Sequence, residues 1–212
     1  MNICENLRNI KNTIPEDVKL VVVSKTRSIE EIEKIYNCGH NIFGENKVQE
    51  LIGKYEKLPK DIEWHMIGHL QGNKVKYIAP FVSLIHGIDS KKLIKEIDKR
   101  AKINNRNING LLQIHIAEER SKFGFSIDEI DDVLEEVKKY NNLNIIGLMG
   151  MATFTNDKEK IKNEFKLLQS VYLRHNNTLN TLSIGMSGDY NIAIECGSNM
   201  IRIGSSIFGK RK

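Results

Sequence analysis

Eight copies of one unit, an apolar and β-branched run followed by a capped amphipathic helix, predict an α/β fold for this chain of 212 residues. The architecture expected is a single-domain parallel (β/α)8 barrel, a TIM barrel, with an extra N-terminal helix. Three observations carry the prediction. The runs, VKLVVVSKT first among them, read as strands buried on both faces. No Pro-, Gly- or Ser-rich linker divides a chain that holds only 3 Pro. No GxGxxG follows the first strand, which counts against an open doubly wound sheet, the runner-up.

In order, Ile3, Leu7 and Ile10 place a short amphipathic helix before Pro15. Residues 18–26, VKLVVVSKT, make the first strand and carry Lys25 at its end. Ser28 with Glu31 is a capping box, and Ile29, Ile32, Ile35 and Tyr36 stripe a helix that stops at Gly39. The second unit runs from NIFGE at 41–45 into a helix from about Asn46, faced by Val48, Leu51, Ile52 and Tyr55. The third joins EWHMIG at 63–68 to a polar HLQGNK segment and a short helix ending near Pro80. SLIHGID at 83–89 feeds a helix capped by Ser90. LLQIHIA at 111–117 runs through EERSKFG to a second capping box, Ser126 with Glu129. The sixth unit pairs IIGLMGM at 145–151 with a helix from about Asp157 to His175. TLSIGM at 181–186 with a helix over 190–196, and MIRIG at 200–204 with a last short helix from Ser205, complete the series.

With 40% hydrophobic and 28% charged residues the composition is that of a soluble globular protein. No apolar run reaches the length of a membrane span, and the first twenty residues lack the order of a signal peptide, so a cytoplasmic location is expected. Cys4, Cys38 and Cys196 fall in no CxxC or metal spacing and are expected as buried or incidental thiols. The net charge of +5 is spread over helices and interleaved with acids; it supports a general attraction for anions and no specific nucleic acid. His65 and His69 have an HxxxH spacing, but Gly68 lies between them and no helix aims both rings at one ion, so no metal is expected. The Lys210-Arg211-Lys212 tail reads as solvated surface charge.

In a barrel of this kind the loops after the strands gather at one face, which brings Lys25, Asn46, Lys122, Ser187 and Arg202 together with the loops around them. A lysine where a buried strand meets its loop is partly withdrawn from water. Desolvation lowers the pKa of an amine, and that suits condensation with an aldehyde as a Schiff base. The last two loops read GMSGD and RIGSS, where a barrel's phosphate site is commonly built. Gly204 permits close backbone approach, while Ser187, Ser205 and Ser206 supply hydrogen-bond donors. Arg202 is the natural partner for a pyridine nitrogen and cannot give up its proton, which makes the ring a weaker electron sink than an Asp partner would. Asn46 is placed for a ring hydroxyl, or equally for a helix N-cap. A lysine for an aldehyde, a cradle for a phosphate and a donor for a ring nitrogen together describe a pyridoxal 5'-phosphate site.

VVVSKT, FGENKVQE, WHMIGHLQGNK, RSKFG, GLMGMA, SIGMSGD, AIECGSNMIRIG and SSIFG, in order from about Val18 to Gly209, resemble the pyridoxal phosphate homeostasis proteins of the YggS/PROSC group. The resemblance implies a barrel like the N-terminal domain of alanine racemase, with Lys25 as Schiff-base lysine, Asn46 against the cofactor ring and Arg202 at the pyridine nitrogen. Ser187, Gly204 and Ser205 hold the phosphate by the same carry-over. Arg27-Ser28 departs from the group, in which Lys-Pro often follows SKT. The resemblance further implies a monomer without established catalysis, with pyridoxal-phosphate-dependent apoenzymes as recipients of the cofactor. The racemases use a second domain and a partner tyrosine, whereas this sequence stops eight residues after Gly204, at Lys212. The competing expectation is a racemase or Schiff-base lyase on the same barrel. A basic RNA- or protein-binding module has no specific support.

Overall fold

The computed structural model describes residues 2–118 and 123–209. Lys122, most of the RSKFG motif and the Lys210-Arg211-Lys212 tail lie outside the described residues. Eight parallel strands close into a barrel in sequence order: β1 (Lys19–Val23), β2 (Ile42–Glu45), β3 (Glu63–Met66), β4 (Leu84–Ile88), β5 (Ile108–Ile114), β6 (Leu143–Gly150), β7 (Thr181–Met186) and β8 (Met200–Ile203). Closure is made by β8 on β1, in register from Lys19 opposite Met200 to Val22 opposite Ile203. Two cores result. Inside the barrel Val21, Leu84, Leu111, Met149 and Met200 meet. Outside it, the apolar stripes of the helices pack on the outward residues of the strands.

Several helices start at side-chain caps. In α1 (Ile3–Thr13) the Asn2 side chain accepts from the N–H groups of Cys4 and Glu5. In α2 (Ile29–Asn37) the Ser28 and Glu31 capping box forms as expected. The chain continues with α3 (Val48–Lys57), α4 (Val75–Ile78), α5 (Lys91–Ile103), α6 (Ile130–Val137) and α7 (Lys158–Arg174), the last capped by Asp157. α8 (Tyr190–Glu195) and α9 (Ser205–Phe208) close it, and Ser126 with Glu129 caps the turn before α6. Full burial of stripe residues such as Ile32, Leu51, Ile97 and Phe165 is worth roughly 1.5–3 kcal/mol each.

Two expectations need correction. β5 and β6 begin at Ile108 and Leu143, ahead of 111 and 145, and those two residues pair with each other. The composition there is that of a turn, yet the Asn144 side-chain amide donates to Asn109 Oδ1 across the two strands. The second correction concerns the thiols. Cys4 and Cys38 form a disulfide across 34 residues of sequence, tying α1 to the C-cap of α2. Their spacing carried no such information, because the contact depends on α1 folding back over α2. Cys196 remains a buried free thiol, its pKa raised by burial. Among the described residues no helix is long and apolar enough to cross a membrane.

Candidate functional site

Side chains alternate along a strand, so Val21 in the inner core places Val23 on the inward face and Met200 does so for Arg202, while Lys25 stands in the turn two residues past the end of β1, short of the strand expected to run to 26, and Gly204 directly follows β8. The result is one cavity of about 500 Å³ at the C-terminal ends of the strands. Lys25, Asn46, Ser187, Arg202, Gly204 and Ser205 all line it, contributed by the ends of β1, β2, β7 and β8.

Lys25 is half-buried between two fixed neighbours. Ser24 Oγ donates to Glu45 Oε1 at 2.6 Å. From α3, Lys54 Nζ donates to Ser24 O, Glu45 Oε1 and Glu50 Oε1, each at 2.7 Å. Glu50 in turn accepts the N–H of Thr26. Thr26 has φ 65°, a left-handed conformation that a β-branched residue keeps only when its surroundings hold it there. Burial pushes the Glu45 carboxyl up, and the Lys54 ammonium beside it works in the opposite direction.

Asn46 is not the cap of α3. That helix starts at Val48, and its N-cap residue, Lys47, makes no side-chain cap bond. What places Asn46 is Gly68, since a Cβ at 68 would lie 2.5 Å from the Asn46 carbonyl oxygen. The glycine lets the loop after β3 lie directly on Asn46.

Arg202 is 4% exposed. Its Nη1 donates to Ser183 O at 2.8 Å and Ser183 Oγ at 2.6 Å, and its Nη2 to Gly150 O at 3.0 Å. Burial pushes the guanidinium down to about 10, which leaves it protonated at neutral pH, and Asp189 favours its charge. Asp189 accepts the Met186 N–H at 2.6 Å, while burial raises its own pKa. Ser187 Oγ accepts the Gly204 N–H at 3.2 Å, tying the loops after β7 and β8 together. A Cβ on Gly204 would come within 3.2 Å of Val23 O, so glycine lets this turn lie close to β1. Ser205 and Ser206 follow at the start of α9, where N–H groups have no acceptor within the helix.

The facing wall is the loop after β6. Thr153 donates through N and Oγ1 to the two carboxylate oxygens of Glu164 on α7, at 2.7 and 2.6 Å. Phe154, 98% exposed, stands in the lining beside it. His65 and His69 part company: His65 meets His86 inside the barrel, and His69 pairs with Asp89 and stacks on Phe123. Among the described residues no group of three or more His, Cys, Asp or Glu is arranged to hold a metal.

Residues 1–212 match the family model described as alanine racemase, N-terminal domain. The pyridoxal phosphate homeostasis protein of Aquifex aeolicus is 37% identical, with 100% of each chain covered. That of Helicobacter pylori strain 26695 is 40% identical over 90% of this chain and 87% of its own. The chain belongs to the pyridoxal phosphate homeostasis protein family. PipY of Synechococcus elongatus PCC7942, solved with PLP bound, superposes with a TM-score of 0.89 at 29% identity, covering 98% of this chain and all of PipY. Alanine racemase of Clostridium difficile, at 16% identity and TM-score 0.82, shares the fold; this chain spans 57% of it.

In this member of the family the six site residues named from sequence share one cavity, and their supports were not named. Glu45 and Lys54 are nine residues apart and read as a strand-end acid and a surface lysine on a helix. Ser183 and His86, behind Arg202, look like ordinary polar residues in apolar strands. The signal that finds Ser183 and His86 is position, because each occupies an inward site of its strand at the depth where the buried Arg202 needs a partner.

Proposed function

We propose that this chain binds pyridoxal 5'-phosphate in the cavity at the barrel mouth, held through Lys25, and serves cofactor homeostasis by carrying and releasing it to apoenzymes without turning over a substrate of its own. The observation that carries the reading is the meeting of Lys25, Asn46, Arg202 and the Ser187 to Ser205 rim in one cavity of about 500 Å³. The donor set fits the group: an amine for its aldehyde, a guanidinium for its ring nitrogen, hydroxyl and backbone N–H donors for its phosphate.

When bound, the cofactor supplies an aldehyde that condenses with an amine and a ring able to withdraw electrons. Lys25 provides the amine, at a position set by the bonds of Ser24 and Thr26. Asn46, on the cavity wall, would hold the ring through its side-chain amide. Arg202, donor-only, offers a hydrogen bond to the ring nitrogen and no proton, which limits electron withdrawal. Ser187, with its oxygen already accepting from Gly204, keeps its hydroxyl proton to give to the phosphate. The ionisable groups among the described lining residues are Lys25, Arg27, Asp189 and Arg202. Asp189, whose Oδ1 accepts the Met186 N–H, is the one carboxylate among the described lining residues, which include no histidine or tyrosine to work with it as a second acid or base.

The test is an assay of D- and L-alanine, serine and glutamate with the loaded protein, beside transfer of the cofactor to an apoenzyme. Transfer without turnover is expected; steady turnover abolished by Lys25→Ala would overturn the carrier reading.

A further inference from the structure

We propose that Ser183, His86 and His65 form a one-directional hydrogen-bond chain through the barrel interior that positions Arg202, a role that rests on the cofactor reading above. Four strands contribute, β8, β7, β4 and β3. Arg202 Nη1 donates to Ser183 Oγ at 2.6 Å, Ser183 Oγ lies 3.2 Å from His86 Nδ1, and His86 Nε2 lies 3.1 Å from His65 Nδ1. Ser183 and His86 are fully buried and His65 nearly so. None of the three is among the described residues that line the cavity, so each acts through Arg202 as a positioning residue.

The direction of the chain follows from its donors. A guanidinium only donates, so Ser183 Oγ must accept from Arg202. The serine proton, buried, then needs an acceptor of its own. Among the described residues His86 Nδ1 is the one within reach. His86 is thereby the Nε2–H tautomer, its Nε2 donates to His65 Nδ1, and His65 becomes an Nε2–H tautomer as well. Reversing any link leaves the Ser183 proton without an acceptor. Burial holds both imidazoles below the usual histidine range, His65 at about 3, so the chain is uncharged at neutral pH.

The consequence falls on Arg202. Ser183 takes both Nη1 protons through O and Oγ, and Gly150 O takes one from Nη2. Of five guanidinium N–H groups, Nε–H and one on Nη2 are not taken by these bonds among the described residues, and Arg202 lines the cavity. A flexible side chain with many rotamers is thus reduced to one presentation, with the ordering done before the ligand arrives. His86 matters because it holds the Ser183 hydroxyl with its lone pairs toward the arginine.

The experiment is 15N NMR of histidine-labelled protein at neutral pH without added cofactor, beside pyridoxal phosphate titrations of His86→Leu and His86→Asn. Neutral His86 and His65, each with bare Nδ1 and protonated Nε2, are expected. An imidazolium at His86 or His65, or an Nδ1–H tautomer at His86, overturns the proposal. In the titrations His86→Leu should weaken binding roughly tenfold and move the absorption maximum of the bound cofactor. His86→Asn, whose carbonyl can accept the serine proton, should recover most of that loss. Unchanged affinity and spectrum in a folded His86→Leu also overturn it; should that variant not fold, the tautomers decide. A native protein that takes up no cofactor refutes the cofactor reading instead, and the tautomer result is read independently of it.

Discussion

Thr26 keeps a left-handed backbone beside Lys25 because Glu50 accepts its N–H, and Glu50 is itself held by Lys54. The same lysine neutralises Glu45, which has no exposed surface and whose Oε2 has no partner among the described residues. Removing one member of a buried ion pair leaves the other charge uncompensated, so Lys54→Ala should cost about 3 kcal/mol in urea unfolding and slow cofactor uptake. Lys54→Met combined with Glu45→Leu should restore much of the stability without restoring uptake. Equal stability of Lys54→Ala and the native protein would contradict this role. At the rim, Ser187→Ala removes one hydroxyl donor and should weaken pyridoxal phosphate binding roughly tenfold, while free pyridoxal, which lacks the phosphate, should lose little. The place of Lys25 and Arg202 in the cavity was legible in sequence because each is a long cation at the end of an apolar strand. Glu45 and Lys54 were not, since their partnership depends on which face of α3 turns inward.

Among the elements, α1 shows where pattern reading stops. The spacing of Ile3, Leu7 and Ile10 suffices to predict the helix, and Leu7 is buried. What the helix docks on is a tertiary fact: Asn6 Nδ2 donates to Ile207 O at 2.9 Å on α9, and Cys4 joins Cys38. A crosslink spanning 34 residues restricts the unfolded chain by about 3–4 kcal/mol in the loop-entropy account. Dithiothreitol, or Cys38→Ser, should therefore lower Tm by several degrees. No change in Tm would show that the crosslink contributes nothing to stability. The starts of β5 and β6 were displaced for a similar reason, because asparagine and glycine between strands signal a turn until a partner strand supplies their hydrogen bonds.

For the molecule as a whole, closure of the barrel was legible from the repeat of eight units, and the inward polar residues set how it responds to acid. His40, His65 and His86 are buried and neutral, with burial as the leading cause; His40 falls to about 4 and His65 to about 3. An unfolded histidine titrates near 6.5, so as pH falls below that value the unfolded state takes up protons that the folded state refuses. The stability from these groups is complete above about pH 7 and is lost as pH falls through 6.5 toward the folded values. At pH 5 the loss is about 2 kcal/mol for each of His40 and His65. Urea midpoints at pH 7 and pH 5 check this, and equal midpoints would contradict the neutral burial of these rings.

Whether Lys25 is the point of attachment is best measured by loading the protein with pyridoxal 5'-phosphate, recording its absorption, reducing with borohydride and mapping the added mass by peptide mass spectrometry, with Lys25→Ala in parallel. A yellow band that borohydride bleaches, with the cofactor mass on the peptide containing Lys25 and neither signal in the variant, is the predicted result. An undiminished band in Lys25→Ala, or the mass on a different lysine of the native protein, would contradict it.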